Sequence, residues 1–265
     1  MRTFSLALFM GLFFSISSVQ AAPVDLNTWT AESYPAVSGF GSGVWTVSGS
    51  GDSVYQSVNG QPTMFYSDFN AMGTNVTGTI RSSGGDDDYI GFALGFQPGD
   101  SANASASYLL VDWKRYQQSY NFGAPSGTPG TTAYVGLAVS QVTGIPTADE
   151  FWGHVNFTTD PSGGLTELAR GNTLGSTGWA PNTDYVFGFN FLPTSLQVTV
   201  NGIPELSISG SFSNGRMAFY NFSQAGVTYS AFEVVPAVPE PSTYLLMGIG
   251  LLGLLGLQRR RKQAV

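Results

Sequence analysis

Tyr185, Phe187, Phe189 and Phe191 occupy alternate positions of one short stretch, and Leu196, Val198 and Val200 do the same a few residues on. Side chains that repeat every second residue share one face of a β-strand and scatter around a helix, so the spacing commits both stretches to half-buried strands. Asn201-Gly202 then supplies the pair that tolerates a left-handed backbone, closing a tight hairpin into Leu206 and Ile208. The same period recurs at Ile90, Phe92, Leu94 and Phe96, interleaved with Tyr89, Gly91, Ala93 and Gly95, which reads as a half-buried strand with a small-residue outer face. Asn214-Gly215 opens a further strand over 216–222. No sustained helical stripe is present apart from a short segment at 147–152, where Asp149 is placed to begin a single turn. With 34 Gly and 14 Pro to punctuate many short strands, the expectation is an all-β fold, a two-sheet antiparallel β-sandwich or jelly roll. The Gly/Ser-rich pieces at 38–50 and 123–132 read as loops inside one domain, and no repeat of fixed period is visible.

Both ends read as targeting segments. A basic Arg2, an apolar run and a small-residue exit at Val19-Gln20-Ala21-Ala22 have the three-part layout of a secretory signal over 1–21. Cleavage after Ala21 leaves Ala22-Pro23 as the new start; a cut after Ala22 would put Pro23, with its fixed φ and missing N–H, next to the scissile bond. Residues 237–265 carry Pro239-Glu240-Pro241, an apolar run at 244–257 and a basic cluster at 259–262 comprising Arg259, Arg260, Arg261 and Lys262. The prolines keep Glu240 out of regular structure, the apolar run is a short transmembrane helix, and the basic cluster stays on the cytoplasmic side. The sequence VPEPSTYLLMGIGLLGLLGLQRRRK resembles the PEP-CTERM sorting signal, all three parts in order. The resemblance implies an exosortase-type membrane enzyme as processing partner. It also implies export, a stage held in the inner membrane by the tail, and delivery to the cell surface or exopolysaccharide matrix.

The body between these ends, 22–236, contains only Arg81, Lys114, Arg115, Arg170 and Arg216 as basic residues, so it is more acidic than the overall charge of -7 suggests. Such a body cannot neutralise a run of phosphates, and no nucleic acid is expected as a partner. Cations and neutral polymers fit better. The chain has no cysteine, which removes disulfides and thiol chemistry.

Within the body, DDDYIGFALGFQ (86–97), YLLVDWKRYQQSY (108–120), GLAVSQVTG (136–144), FWGH (151–154), the GW pair at 178–179 and GRMAFYNFSQAGVTYSAF (215–232) follow one another, after VYQSVNG at 54–60. In this order they resemble the C-terminal domain of thrombospondins. The resemblance implies a lectin-like sandwich of the concanavalin A type, a binding or matrix role, and calcium as the associated ion. The calcium-loaded repeats that precede the domain in thrombospondins have no counterpart here. Asp112 stands where the family has a hydrophobic residue before Trp-Lys, so receptor binding is not carried over.

Asp86, Asp87 and Asp88 follow the flexible pair Gly84-Gly85 and form the candidate calcium loop, with Asp112 as a possible further oxygen; the alternative is a solvated acidic turn. If Asp88 has entered the strand, at most two of the three carboxylates converge. His154 is the single histidine and is read as a structural, hydrogen-bonded residue. There is no Gly-x-Ser-x-Gly turn and no Glu-x-Asp-x-Glu strand, and the acids Asp149, Glu150, Glu167, Asp184 and Glu205 read as solvated residues near turns. Trp113 and Trp152 read as core, whereas Tyr120 and Phe122 are candidates for an exposed ligand platform. The reading is a non-enzymatic, exported, lectin-like binding or matrix protein taking a polysaccharide or surface protein. Its rivals are a glycoside hydrolase on the same sandwich and a self-associating structural matrix protein.

Overall fold

The computed structural model describes residues 21–37, 39–123, 129–157 and 162–236, together with Gly248 and Leu252. The signal segment and nearly all of the sorting tail, including Pro239, Glu240, Pro241 and the basic cluster, lie outside the described residues. Among those that are described, no helix is long and apolar enough to cross a membrane.

Strands follow one another with little else between them. The first half contains β1 (Ala22–Pro23), β2 (Thr30–Ser33), β3 (Trp45–Val47), β4 (Ser53–Gln56), β5 (Thr63–Asn70), β6 (Thr74–Ser82), β7 (Tyr89–Phe96) and β8 (Ser107–Lys114). Next come β9 (Gln118–Tyr120), β10 (Thr131–Ala133), β11 (Gly136–Gly144) and the only α-helix among the described residues, α1 (Ala148–Gly153). The chain ends with β12 (Gly163–Arg170), β13 (Tyr185–Leu192), β14 (Ser195–Val200), β15 (Ile203–Ser209), β16 (Arg216–Phe222) and β17 (Val227–Pro236). One sheet runs β15-β14-β13-β6-β17-β4-β3 with β1 added against β17; the other runs β12-β11-β8-β7-β16-β5-β2; β9 and β10 form a separate ribbon. The expected antiparallel sandwich is therefore present.

The phenylalanine row of β13 and the valine row of β14 point into the core between the sheets, where Phe92, Phe187, Phe189, Phe219, Tyr229 and Phe232 meet. Asn201 (φ 51°) and Gly202 (φ 77°) form the expected left-handed hairpin turn. Two expectations are corrected. Strand β7 is buried on both faces, because the outer face of its sheet carries a second core of Tyr89, Tyr108, Leu110, Phe151, Trp152 and Tyr220. Gly95 (φ +86°) breaks the pairing with β16, so Ile90, Phe92 and Leu94 enter the inter-sheet core while Phe96 turns to the outer one. The stretch at 38–50 is also more than a loop: it holds β3, whose Trp45 stacks on Phe65 at 5.4 Å between ring centres.

Helix α1 has six residues and starts at Thr147, not at Asp149. Thr147 accepts from the Glu150 N–H and Glu150 accepts from the Thr147 N–H, a closed capping box. At the other edge of the molecule Ala22 and Pro23 pair with Val234 and Glu233, and the Val24 N–H donates to the Phe232 carbonyl at 2.9 Å. The start of the body thus lies beside its last strand.

Candidate functional site

The left-handed glycines Gly84 (φ +84°) and Gly85 (φ +99°) turn the chain sharply between β6 and β7. Strand β7 begins only at Tyr89, so Asp86, Asp87 and Asp88 all lie in the turn, and one oxygen of each is within 4.8 Å of the others. The three carboxylates converge, which the expectation that Asp88 had entered the strand would have prevented. Two of them, Asp87 and Asp88, meet Lys114, at the end of β8, whose side chain is wholly buried. Its ammonium donates to Asp88 Oδ1 at 2.5 Å, to the Asp87 carbonyl at 2.9 Å, to Gln118 Oε1 at 3.2 Å and to Asp87 Oδ1 at 3.3 Å. The ring of Trp152 lies 4.7 Å below it, presenting its negative face to the charge. Burial raises the Asp88 carboxyl to about 6, against the opposing pull of Lys114. Asp88 is further fixed by its N–H to Gln224 Oε1 and by the Trp179 indole N–H, which donates to its carbonyl at 3.0 Å.

Calcium takes six to eight oxygen ligands. In this loop the inner oxygens, those of Asp88, the Asp87 carbonyl and Gln118, already accept from an ammonium that belongs to the chain. The donor set fits a cation, and Lys114 supplies it. Asp86 Oδ2 accepts from the Asn59 side-chain amide and Oδ1 from the Asp87 N–H. The outward side, where Asp86 and Asp87 are half-buried, opens into a shallow cavity of about 540 Å³ with Gly85, Arg115 and Gln118.

Asp112 does not join this loop. It faces the same way as Lys114 two residues along β8, but it is fully buried and pairs with His154, Oδ2 to Nε2 at 2.9 Å. His154 stands just past the end of α1 in a left-handed conformation (φ 51°), with Nδ1 3.5 Å from Glu167 Oε2. Glu167 in turn is gripped by Arg170 at 2.7 and 2.9 Å. Burial pulls the imidazole down, but Asp112 and Glu167 outweigh it and raise His154 to about 9. Burial also raises the Asp112 carboxyl, against His154. The histidine is therefore structural, as expected, and it is charged at neutral pH. Its folded value lies above the unfolded one, so its stabilisation is complete below about pH 6.5 and disappears as the pH rises through 9. Because the chain has one histidine, its imidazole proton signal is unambiguous. It is expected to titrate near pH 9 in an NMR series, and the fall in thermal midpoint between pH 7 and 9 is expected to shrink in His154→Gln. A titration near 6.5 would show that the pair with Asp112 is not ionic.

The acids read as solvated are mostly not. Asp149, Glu150 and Glu205 are buried and hold backbone N–H groups: Asp149 that of Phe122 at 2.8 Å, Glu150 that of Phe157 at 2.9 Å, and Glu205 those of Thr173 at 2.9 Å and Leu174 at 3.1 Å. Asp184, ion-paired with Arg81 at 3.0 Å, and the exposed Glu167 on β12 match the expectation of open surface acids.

Above Trp152 lies the β9–β10 ribbon. The indole N–H donates to the Gln118 carbonyl at 3.1 Å, tying the ribbon to the outer core. Tyr120 is 44% exposed and borders a shallow cavity with Asn121, Gly130 and Thr132. Phe122 is not an exposed platform: it packs on Phe222 at 5.0 Å and on Trp152 at 5.4 Å, and supports Tyr120 from below at 4.6 Å. Tyr116 and Tyr134, each 55% exposed, flank the same ribbon in sequence. The large exposed aromatics of the described residues are thus Tyr55 and these three.

Residues 41–236 match the family described as thrombospondin C-terminal region. The chain belongs to that family. Residues 237–262 match the PEP-CTERM protein-sorting motif. Thrombospondin-3b of Danio rerio is 26% identical over 198 residues and thrombospondin-4 of Bos taurus is 26% identical over 211, covering 70% and 74% of this chain. The chain spans about a fifth of the length of these relatives. Among solved structures, a Bacillus subtilis protein of unknown function with a galectin-like fold superposes with a TM-score of 0.50 at 12% identity, covering 83% of this chain and 96% of that one. That likeness concerns the fold.

For this thrombospondin-type sandwich the sequence singled out the acidic triad, the histidine and Tyr120 but missed Lys114 as the counter-charge of Asp87 and Asp88. A signal was present. SYLLVDWK is an apolar strand with two charges on one face, and charges in such a setting require partners.

Proposed function

We propose that the protein is an exported, non-catalytic binding module that holds polysaccharide on the face formed by the acidic turn and the β9–β10 ribbon. The observation that carries the reading is the exposed Tyr120 on the small ribbon, with Tyr116 and Tyr134 flanking that ribbon in sequence: a flat apolar ring with a polar tip, mounted for Tyr120 on Phe122, is what a sugar ring stacks against. The sorting motif supports export and handling by an exosortase-type enzyme, with delivery to the cell surface or extracellular matrix. Calcium enters as an ion held from outside by Asp86 and Asp87, distinct from the buried charge that Lys114 already answers. The non-catalytic reading is supported by Asp112 being sealed and by Glu150 and Glu205 being committed to backbone N–H groups, which takes these three carboxylates away from a glycosidic bond.

Affinity electrophoresis of the full-length protein in gels containing a neutral exopolysaccharide tests the reading. Retardation is expected, Tyr120→Ala is expected to weaken it severalfold, and no reducing ends are expected to accumulate. Reducing ends that appear with time and vanish in Glu167→Gln would make the protein a hydrolase. Unretarded migration combined with concentration-dependent assembly would make it a structural matrix protein.

A further inference from the structure

Just past the end of β10, Tyr134 borders a second shallow cavity of about 440 Å³ together with Gly153, Glu167, Arg170, Gly175 and Ser176. We propose that this cavity is a subsite for a neutral hexopyranose unit, with Tyr134 as stacking face and the Glu167–Arg170 pair as hydroxyl-recognising group. This rests on the polysaccharide-binding reading and assigns it a place and a sugar class.

The geometry supports each part. Arg170 grips Glu167 in fork fashion, Nε to Oε1 at 2.9 Å and one terminal nitrogen to Oε2 at 2.7 Å. Its other terminal nitrogen donates to the carbonyls of Val135 at 2.9 Å and Gly175 at 3.2 Å. Both side chains are therefore fixed before any ligand arrives, which removes the ordering cost that long polar side chains normally bring to binding. Both remain about 30% exposed. A carboxylate has roughly four lone-pair sites; Arg170 uses two of them and His154 Nδ1 faces a third, leaving an acceptor for a sugar hydroxyl. One guanidinium N–H is left as a donor. The Tyr134 ring lies 5.9 Å from the guanidinium, so the flat apolar surface and the polar fork line one opening.

Charge selects the sugar. The Arg170 guanidinium is neutralised by Glu167, and the His154 imidazolium behind it by Asp112. A uronate entering the cavity would meet no free cation and would face a carboxylate, whereas a neutral hexose meets only hydrogen-bonding partners.

Full-length protein in mild detergent, titrated by calorimetry with cellohexaose, mannohexaose and hexagalacturonate, tests the assignment. Wild type is expected to bind at least one neutral hexamer, and hexagalacturonate at least tenfold more weakly. Tyr134→Ala is expected to lose tenfold or more, with an unchanged thermal midpoint because the ring is exposed, and Tyr134→Phe to retain binding. Binding unchanged in Tyr134→Ala but lost in Tyr120→Ala would overturn the subsite and leave the broader reading in place. Preference for hexagalacturonate would overturn the sugar class. Failure of the wild type to bind any hexamer would overturn subsite and reading together.

Discussion

Replacing Lys114 with methionine is expected to cost the folded state about 3–5 kcal/mol, the usual consequence of stripping one partner from a buried ion pair. Asp88 is 3% exposed and its carboxylate would lose the ammonium that now sits 2.5 Å away. Methionine is unbranched and only one heavy atom shorter than lysine, so the loss reflects charge more than packing. Urea denaturation of wild type, Lys114→Met and Lys114→Met/Asp88→Asn measures it, with the double variant expected to recover a large part of the loss because no buried charge is left alone. The penalty in the single variant is expected to shrink as the pH is lowered, since a carboxyl whose folded pKa is raised is relieved by taking up a proton. Chelation of calcium is expected to lower the wild-type midpoint only by the contribution of an ion at Asp86 and Asp87, well short of the loss in Lys114→Met, while millimolar calcium partly rescues Lys114→Met by binding the carboxylates left without an ammonium. A wild type that unfolds on chelation would show that Lys114 is not sufficient as the cation of this loop.

Trp152→Ala is expected to have a similar cost, about 3–5 kcal/mol, and a second effect that a core residue elsewhere would not have. The indole packs edge-on against Tyr89 at 5.7 Å and Phe222 at 5.6 Å, lies under the Lys114 ammonium and donates to the Gln118 carbonyl. Its removal opens a cavity in the outer core and cuts a tie between that core and the ribbon. Hydrogen exchange is expected to accelerate at the amides of Gln118 and Tyr120 more than in the inter-sheet core, and oligosaccharide binding is expected to weaken more than global stability explains. Uniform acceleration throughout the molecule would reduce Trp152 to an ordinary core residue.

The inter-sheet core was legible in the sequence because it obeys a single rule. The rows of β13 and β14 have one face in and one face out, and the Asn201-Gly202 turn fixes their register. The outer core was not legible. Tyr89, Ala93 and Gly91 look like a small, wettable face until α1, the ribbon and Tyr34 are laid over them, and those contacts join residues far apart in the chain. The same reason hid the roles of Lys114, Asp149 and Glu205, whose partners come from other strands or loops. Phe96 misled because one left-handed glycine, Gly95, reverses the alternation just before it. The acidic triad could be found from sequence because its residues are adjacent; the cation that completes it lies 26 residues away from Asp88.

The position of β17 has a mechanical consequence. This strand runs ten residues to Pro236, is hydrogen-bonded along its length to β6 and flanked on its other side by β4 and then β1, and hands the chain directly to the sorting tail. A pull applied at residue 236 reaches β17 before any other strand. Directed along that strand, it loads the ladder of hydrogen bonds in shear, all rungs together, where an edge strand pulled from its side would peel open one rung at a time. The last strand of the domain is thus an interior one, gripped on both sides.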